Sequence, residues 1–123
     1  MANLDDVVTV QKNGVIAVNA LVQSLDLFKT LYESFVGNSS AIGLSADALI
    51  STTAGRVVTV SVITAASGGK IYDSATVAGA TDANAIYAIP NTIGTTSINF
   101  PYFDGLVIKP GSGSVVSISY SEV

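Results

Sequence analysis

The side chains that ordinarily carry out chemistry are largely missing from this sequence. It contains no histidine, no cysteine and no tryptophan. Without His and Cys the usual zinc ligands and nucleophile–base pairs cannot be assembled. What remains is nine carboxylates, five basic residues and five tyrosines among 123 residues. Asp73, Asp82 and Asp104 fall in or beside expected loops, 9 and 22 residues apart, with no Asp-x-Asp pattern between them. A glycosidase pair must converge across a cleft, and a calcium site needs several clustered oxygens. Each of these aspartates is instead expected to cap a turn by accepting from nearby backbone N–H groups. Gly68-Gly69 and Gly111-Ser112-Gly113 are not followed by Lys-Ser/Thr or by a helical pattern, so they read as turns and not as phosphate cradles. Tyr72, Tyr87, Tyr102 and Tyr120 could stack on sugars, but three of the four sit among alternating apolar residues and are expected to pack in a core or an interface. No enzymatic activity, cofactor or metal is expected.

The bulk composition points to assembly. Hydrophobic residues make up 49% and charged residues 11%, where soluble domains carry about 25% charged residues. The surface must therefore be built mainly from Ser, Thr, Asn and Gly, and such a surface does little to repel further copies. The net charge is −4, and the five basic residues (Lys12, Lys29, Arg56, Lys70 and Lys109) are scattered singly. No basic stripe follows a phosphate backbone, so no nucleic-acid partner is expected. The segment 1–6 is polar and acidic, unlike a signal peptide. The apolar runs are shorter than the ~20 residues that span a bilayer, so no membrane partner is expected.

The elements that would position these residues divide near Gly37, after which lie all three prolines and ten of the eleven glycines. Residues 1–43 read as a hairpin plus helix serving oligomerisation or docking, and 44–123 as a β-sandwich domain. In the hairpin, Val8 and Val10 alternate with polar residues, Asn13-Gly14 supplies a type I′ turn, and Val15 to Val18 return. A helix is predicted over 19–35, with Asn19 as N-cap and Gly37 at C′. Its residues Val18, Leu21, Leu25, Phe28, Tyr32 and Phe35 are spaced 3, 4, 3, 4 and 3, which is a heptad seam. One reading packs that face on the chain's own sheet; the other makes these six residues an oligomer interface. Strands are predicted at 44–53, 57–63, 71–77, 85–89, 95–100, 106–109 and 115–120, separated by Gly, Pro and Ser turns. About seven short strands without an intervening helix predict a mainly β, antiparallel sandwich, jelly-roll or Ig-like.

One block has a recognisable order: Ala54-Gly55-Arg56-Val57, Gly69-Lys70-Ile71-Tyr72-Asp73-Ser74, Ala88-Ile89-Pro90, Gly105-Leu106-Val107-Ile108, Pro110-Gly111-Ser112-Gly113 and Val116-Ser117-Ile118-Ser119-Tyr120-Ser121. This block, about 54–121, resembles small virion structural proteins of tailed bacteriophages. The resemblance implies a capsid decoration protein, a head-fibre base or a neck or tail part, often trimeric, with the major capsid or neck proteins as partners and the virion as its location. Open sheet edges and an apolar helix face also call for closed symmetry. The competing expectation is a glycan-binding or adhesin-like sandwich, with loop tyrosines as its platform.

Overall fold

A computed structural model describes residues 4–122. They form a helix, α1 (Leu4–Val36), and eight strands: β1 (Ser39–Leu44), β2 (Ala48–Ser51), β3 (Gly55–Thr64), β4 (Gly69–Asp73), β5 (Ala85–Ile89), β6 (Gly94–Tyr102), β7 (Leu106–Lys109) and β8 (Val115–Glu122). The chain divides into two compact units between Tyr32 and Glu33.

The helix corrects the expectation of an N-terminal hairpin. Residues 7–18 continue α1, and Asn13-Gly14 lies within it. The predicted N-cap, Asn19, is therefore interior. A two-stranded hairpin with no further strand to lie on is marginal in water, whereas a helix satisfies its backbone groups internally. Once nucleated, a helix extends cheaply, so the ~1 kcal/mol handicap of Gly14 is absorbed. Side chains that could compete with the ladder fold back onto it. Thr9 Oγ1 donates to the Asp5 carbonyl (2.9 Å), Ser24 Oγ to Ala20 (3.0 Å) and Thr30 Oγ1 to Asp26 (3.0 Å). Asp5 and Asp6 place negative charge at the positive end of the helix dipole. The predicted stop holds: Gly37 has φ +85°, and its N–H donates to the Glu33 carbonyl at 2.9 Å, an αL cap.

Joining these segments also lengthens the apolar run. An 18-residue window within Leu4–Glu33 has mean hydropathy 1.2, enough by length and composition to cross a membrane. The expected turn at Asn13-Gly14 had cut that run in two.

The second unit is a sandwich of two antiparallel sheets, in the orders β1-β8-β3-β6 and β2-β7-β4-β5. Its core is the product of alternation with one bulge: Val57 and Val60, three residues apart, reach the same face because the register of β3 shifts between Val57 and Thr59. Val57, Val60 and Val62 of β3 and Val116, Ile118 and Tyr120 of β8 face Ile71 of β4 and Leu106 and Ile108 of β7. Val107, between those two β7 residues, is also fully buried, because Tyr72, Ala80 and Val77 cover the outer face of its sheet. Seven of the strands coincide in place with predicted ones. The eighth, β1, occupies residues read as a linker. Its sequence, SSAIGL, has little strand signal, and it forms by pairing with β8 from Ser39↔Tyr120 to Leu44↔Val116. Pro101 does not end its strand as expected: it stays in register opposite Arg56, on an edge strand where a missing N–H is tolerated.

Where the second unit begins, the Phe35 ring lies 5.7 Å from the Arg56 guanidinium. The same guanidinium donates to the Asn99 carbonyl at 2.7 Å, holding a β6 bulge in which Asn99 adopts φ +46°.

Candidate functional site

The helix carries the most extensive apolar surface. The six expected interface residues, Val18, Leu21, Leu25, Phe28, Tyr32 and Phe35, are 58% to 67% exposed. The sandwich core is built from strand residues. The same 3–4 spacing continues upstream through Gly14 and Gln11 to Val7 and Leu4, a continuation hidden by the expected hairpin. Taking Val18 as an a position and Leu21 as d, the flanking e row holds Val8, Val15, Val22, Lys29 and Val36, and the g row holds Val10, Ala17, Ser24 and Leu31. Polar residues occupy the opposite side: Asp5, Lys12, Asn19, Asp26 and Glu33 in b, with Thr9, Gln23 and Thr30 in f. Ile16 and Leu27 are the large apolar residues outside the broad face. A largely polar face of this kind, interrupted by Ile16, is poorly suited to lipid on all sides and well suited to a helical bundle.

Within the seam, Gln11 and Gly14 stand out. Gly14 has open space where a Cβ would be. Its missing side chain leaves a shallow notch lined by Gln11, Val15, Val18 and Asn19.

On the sandwich, Lys70 and Lys109 stand directly opposite each other on β4 and β7, beside a cleft of about 450 Å³ that Asp47 and Tyr72 also line. Both ammonium groups are held by the chain itself. Lys70 Nζ lies 2.6 Å from Asp82 Oδ1, and Lys109 Nζ donates to the Ala80 carbonyl (3.3 Å) and sits 5.3 Å from the Tyr72 ring. The hydrogen bond and charge of Asp82 raise the Lys70 pKa, and the same contact lowers that of Asp82.

The three loop aspartates do not converge on a shared task in their contacts. The Asp73 carboxylate accepts from the backbone N–H groups of Phe103 (3.0 Å), Asp104 (2.8 Å) and Gly105 (3.3 Å), capping that turn as expected. Asp82 serves Lys70. Among the described residues, no three His, Cys, Asp or Glu side chains are grouped so as to hold a metal.

Of the four tyrosines offered as a platform, three are buried and Tyr87 is half-buried. Tyr102 is 0%, Tyr72 7% and Tyr120 9% exposed. The Tyr102 hydroxyl donates to the Ser121 carbonyl at 3.0 Å beneath Gly55. Burial pushes the Tyr102 pKa up, against a smaller opposing effect of a Ser51 hydrogen bond, and burial also raises that of Tyr120.

The first sheet presents a feature that sequence reasoning missed. The register places Ser40, Ser119, Thr59 and Ser97 in one row across all four strands, and Ser117, Ser61 and Thr95 in the next. Neighbouring hydroxyls bond one another, Thr59 to Ser119 at 2.6 Å and Ser61 to Thr95 at 3.0 Å. The signal lay in the Ser and Thr alternation of each strand, but the rows exist only once register is fixed.

Compared with family models, curated proteins and solved structures, the chain matches none.

Proposed function

We propose that this chain is a non-enzymatic structural protein of a bacteriophage particle that self-associates, as a trimer, through α1 and attaches to a capsid or neck surface. The observation that carries the self-association is the exposed seam of α1. It runs through a 33-residue helix, more than the three to four heptads that argue for a coiled coil.

The area is adequate. At ~1.5 Å per residue the helix is roughly 50 Å long, and a strip ~15 Å wide, half its circumference, covers about 750 Å² per copy. A standard stable interface takes ~800 Å² per partner. A two-stranded coil covers little beyond a and d, whereas e and g rows that are apolar at seven of nine positions, Lys29 and Ser24 excepted, find cover between additional helices. That breadth supports three copies over two.

The strand orders β1-β8-β3-β6 and β2-β7-β4-β5 support an eight-stranded jelly roll, an architecture of viral capsid and lectin domains. This is an argument by fold analogy. Placement in a phage particle rests on the resemblance carried by residues 54–121. A carbohydrate-binding module shares the topology, but burial of Tyr72, Tyr102 and Tyr120 speaks against it.

Light scattering on the purified chain tests the first half: three times the mass of one chain is expected, and a monomer at micromolar concentration refutes it. Mass spectrometry of purified particles of the encoding virus tests the second, and absence of the chain from them refutes that placement.

A further inference from the structure

We infer that Gln11 fixes the α1 bundle as parallel and in register, with copies of this chain as the only occupants of the seam. This deepens the self-association reading and rests on it.

The argument starts from the interruption. Of the seam positions from Leu4 to Phe35, all are large and apolar except Gln11 and Gly14, one turn apart. A Gln amide carries two donors and an acceptor oxygen, and burying them unpaired is costly. A single polar residue at an a position is a known way to specify register and orientation, because only one alignment pairs it with itself.

Each competing alignment can be read from the spacing. Parallel helices in register bring Gln11 against Gln11, where amide can bond amide around the axis. A slip of one heptad sets Gln11 against Leu4 or Val18. An end-to-end antiparallel pairing of Leu4–Phe35 sets it against Phe28. In both cases an amide faces a side chain with no polar atom. Gly14 contributes room: with no Cβ, it leaves the notch beside Gln11 open, so long amide side chains can turn toward one another without displacing the Val18 layer. The aromatic end of the seam, Phe28, Tyr32 and Phe35, supplies apolar contact but no such selection, since it has no buried amide to satisfy.

The chain has no cysteine, so single Cys reporters are clean. The experiment mixes full-length Val7→Cys with an affinity-tagged chain carrying Tyr32→Cys and oxidises the assembled protein mildly. Disulfides between two Val7→Cys chains are expected, with mixed disulfides between a Val7→Cys and a Tyr32→Cys chain at background. Repeated in a Gln11→Leu background, the assembly is expected to persist while the selectivity falls at least tenfold. Mixed disulfides as the main species without the Gln11→Leu change overturn the parallel arrangement. Unchanged selectivity with Gln11→Leu overturns the role of Gln11. A monomeric parent protein by light scattering is a different failure: it removes the self-association reading itself, before any crosslink is formed.

Discussion

Replacing Phe28 by aspartate separates assembly from folding. A Phe side chain buries roughly 200 Å² when covered. Phe28 is 67% exposed in the single chain, which leaves about 130 Å² for a partner to cover. At ~25 cal/mol per Å² that amounts to about 3 kcal/mol per chain. Three chains losing it together weaken a trimer on the order of a millionfold, since each ~1.4 kcal/mol is a factor of ten. The aspartate adds a desolvated charge to the same layer and deepens the loss. The sandwich core contains no residue of α1, so the β fold should be untouched. The assay is sedimentation or light scattering at micromolar concentration, beside far-ultraviolet circular dichroism for the β signal. Phe28→Asp is expected to be monomeric with its sandwich intact, and Gln23→Asp, on the polar face, is expected to keep the parent mass. Phe28→Asp at the parent mass, or equal dissociation by Gln23→Asp, would refute the seam as the interface.

Further outcomes follow from the sandwich and the cap. Gly55→Ala places a methyl against the Ser121 carbonyl and the Tyr102 hydroxyl; a loss of about 2–3 kcal/mol, read as a lower unfolding midpoint, is expected. Tyr102 and Tyr120 both have raised pKa values, so the folded chain keeps these protons longer than the unfolded one. Their stabilisation is complete below the unfolded value near 10 and is lost as pH rises through the higher folded values. Thermal unfolding followed from pH 9 upward should therefore show falling stability, with a shallower slope in Tyr102→Phe. Gly37→Ala, at φ +85°, should cost about 1 kcal/mol by forcing a Cβ into the left-handed region, read by chemical denaturation. Lys70→Ala breaks a pair whose groups are exposed, so no measurable change in the unfolding midpoint is expected.

The sequence by itself determined the sandwich core and the end of the helix. Alternating Val60 and Val62, and Val116, Ile118 and Tyr120, can put their apolar side chains on one face only as strands; Val57, three before Val60, joins them only through the bulge in β3. Gly37 tolerates the left-handed conformation that stops a helix. These are local properties of side-chain period and backbone freedom, so they can be read without knowing the neighbours. Tertiary structure decided what depends on partners distant in the chain. Ser39–Leu44 becomes a strand because β8 offers it an edge, and the hydroxyl rows of Ser40, Ser119, Thr59 and Ser97 exist because register aligns four separate strands. Tyr102 looked like a loop aromatic, yet it lies in the core because β6 continues past Pro101. Residues 7–18 sit between the two cases: Asn13-Gly14 is a strong local hairpin signal, and it yields because a long helix satisfies its own hydrogen bonds while an isolated pair of strands leaves its outer edges unpaired.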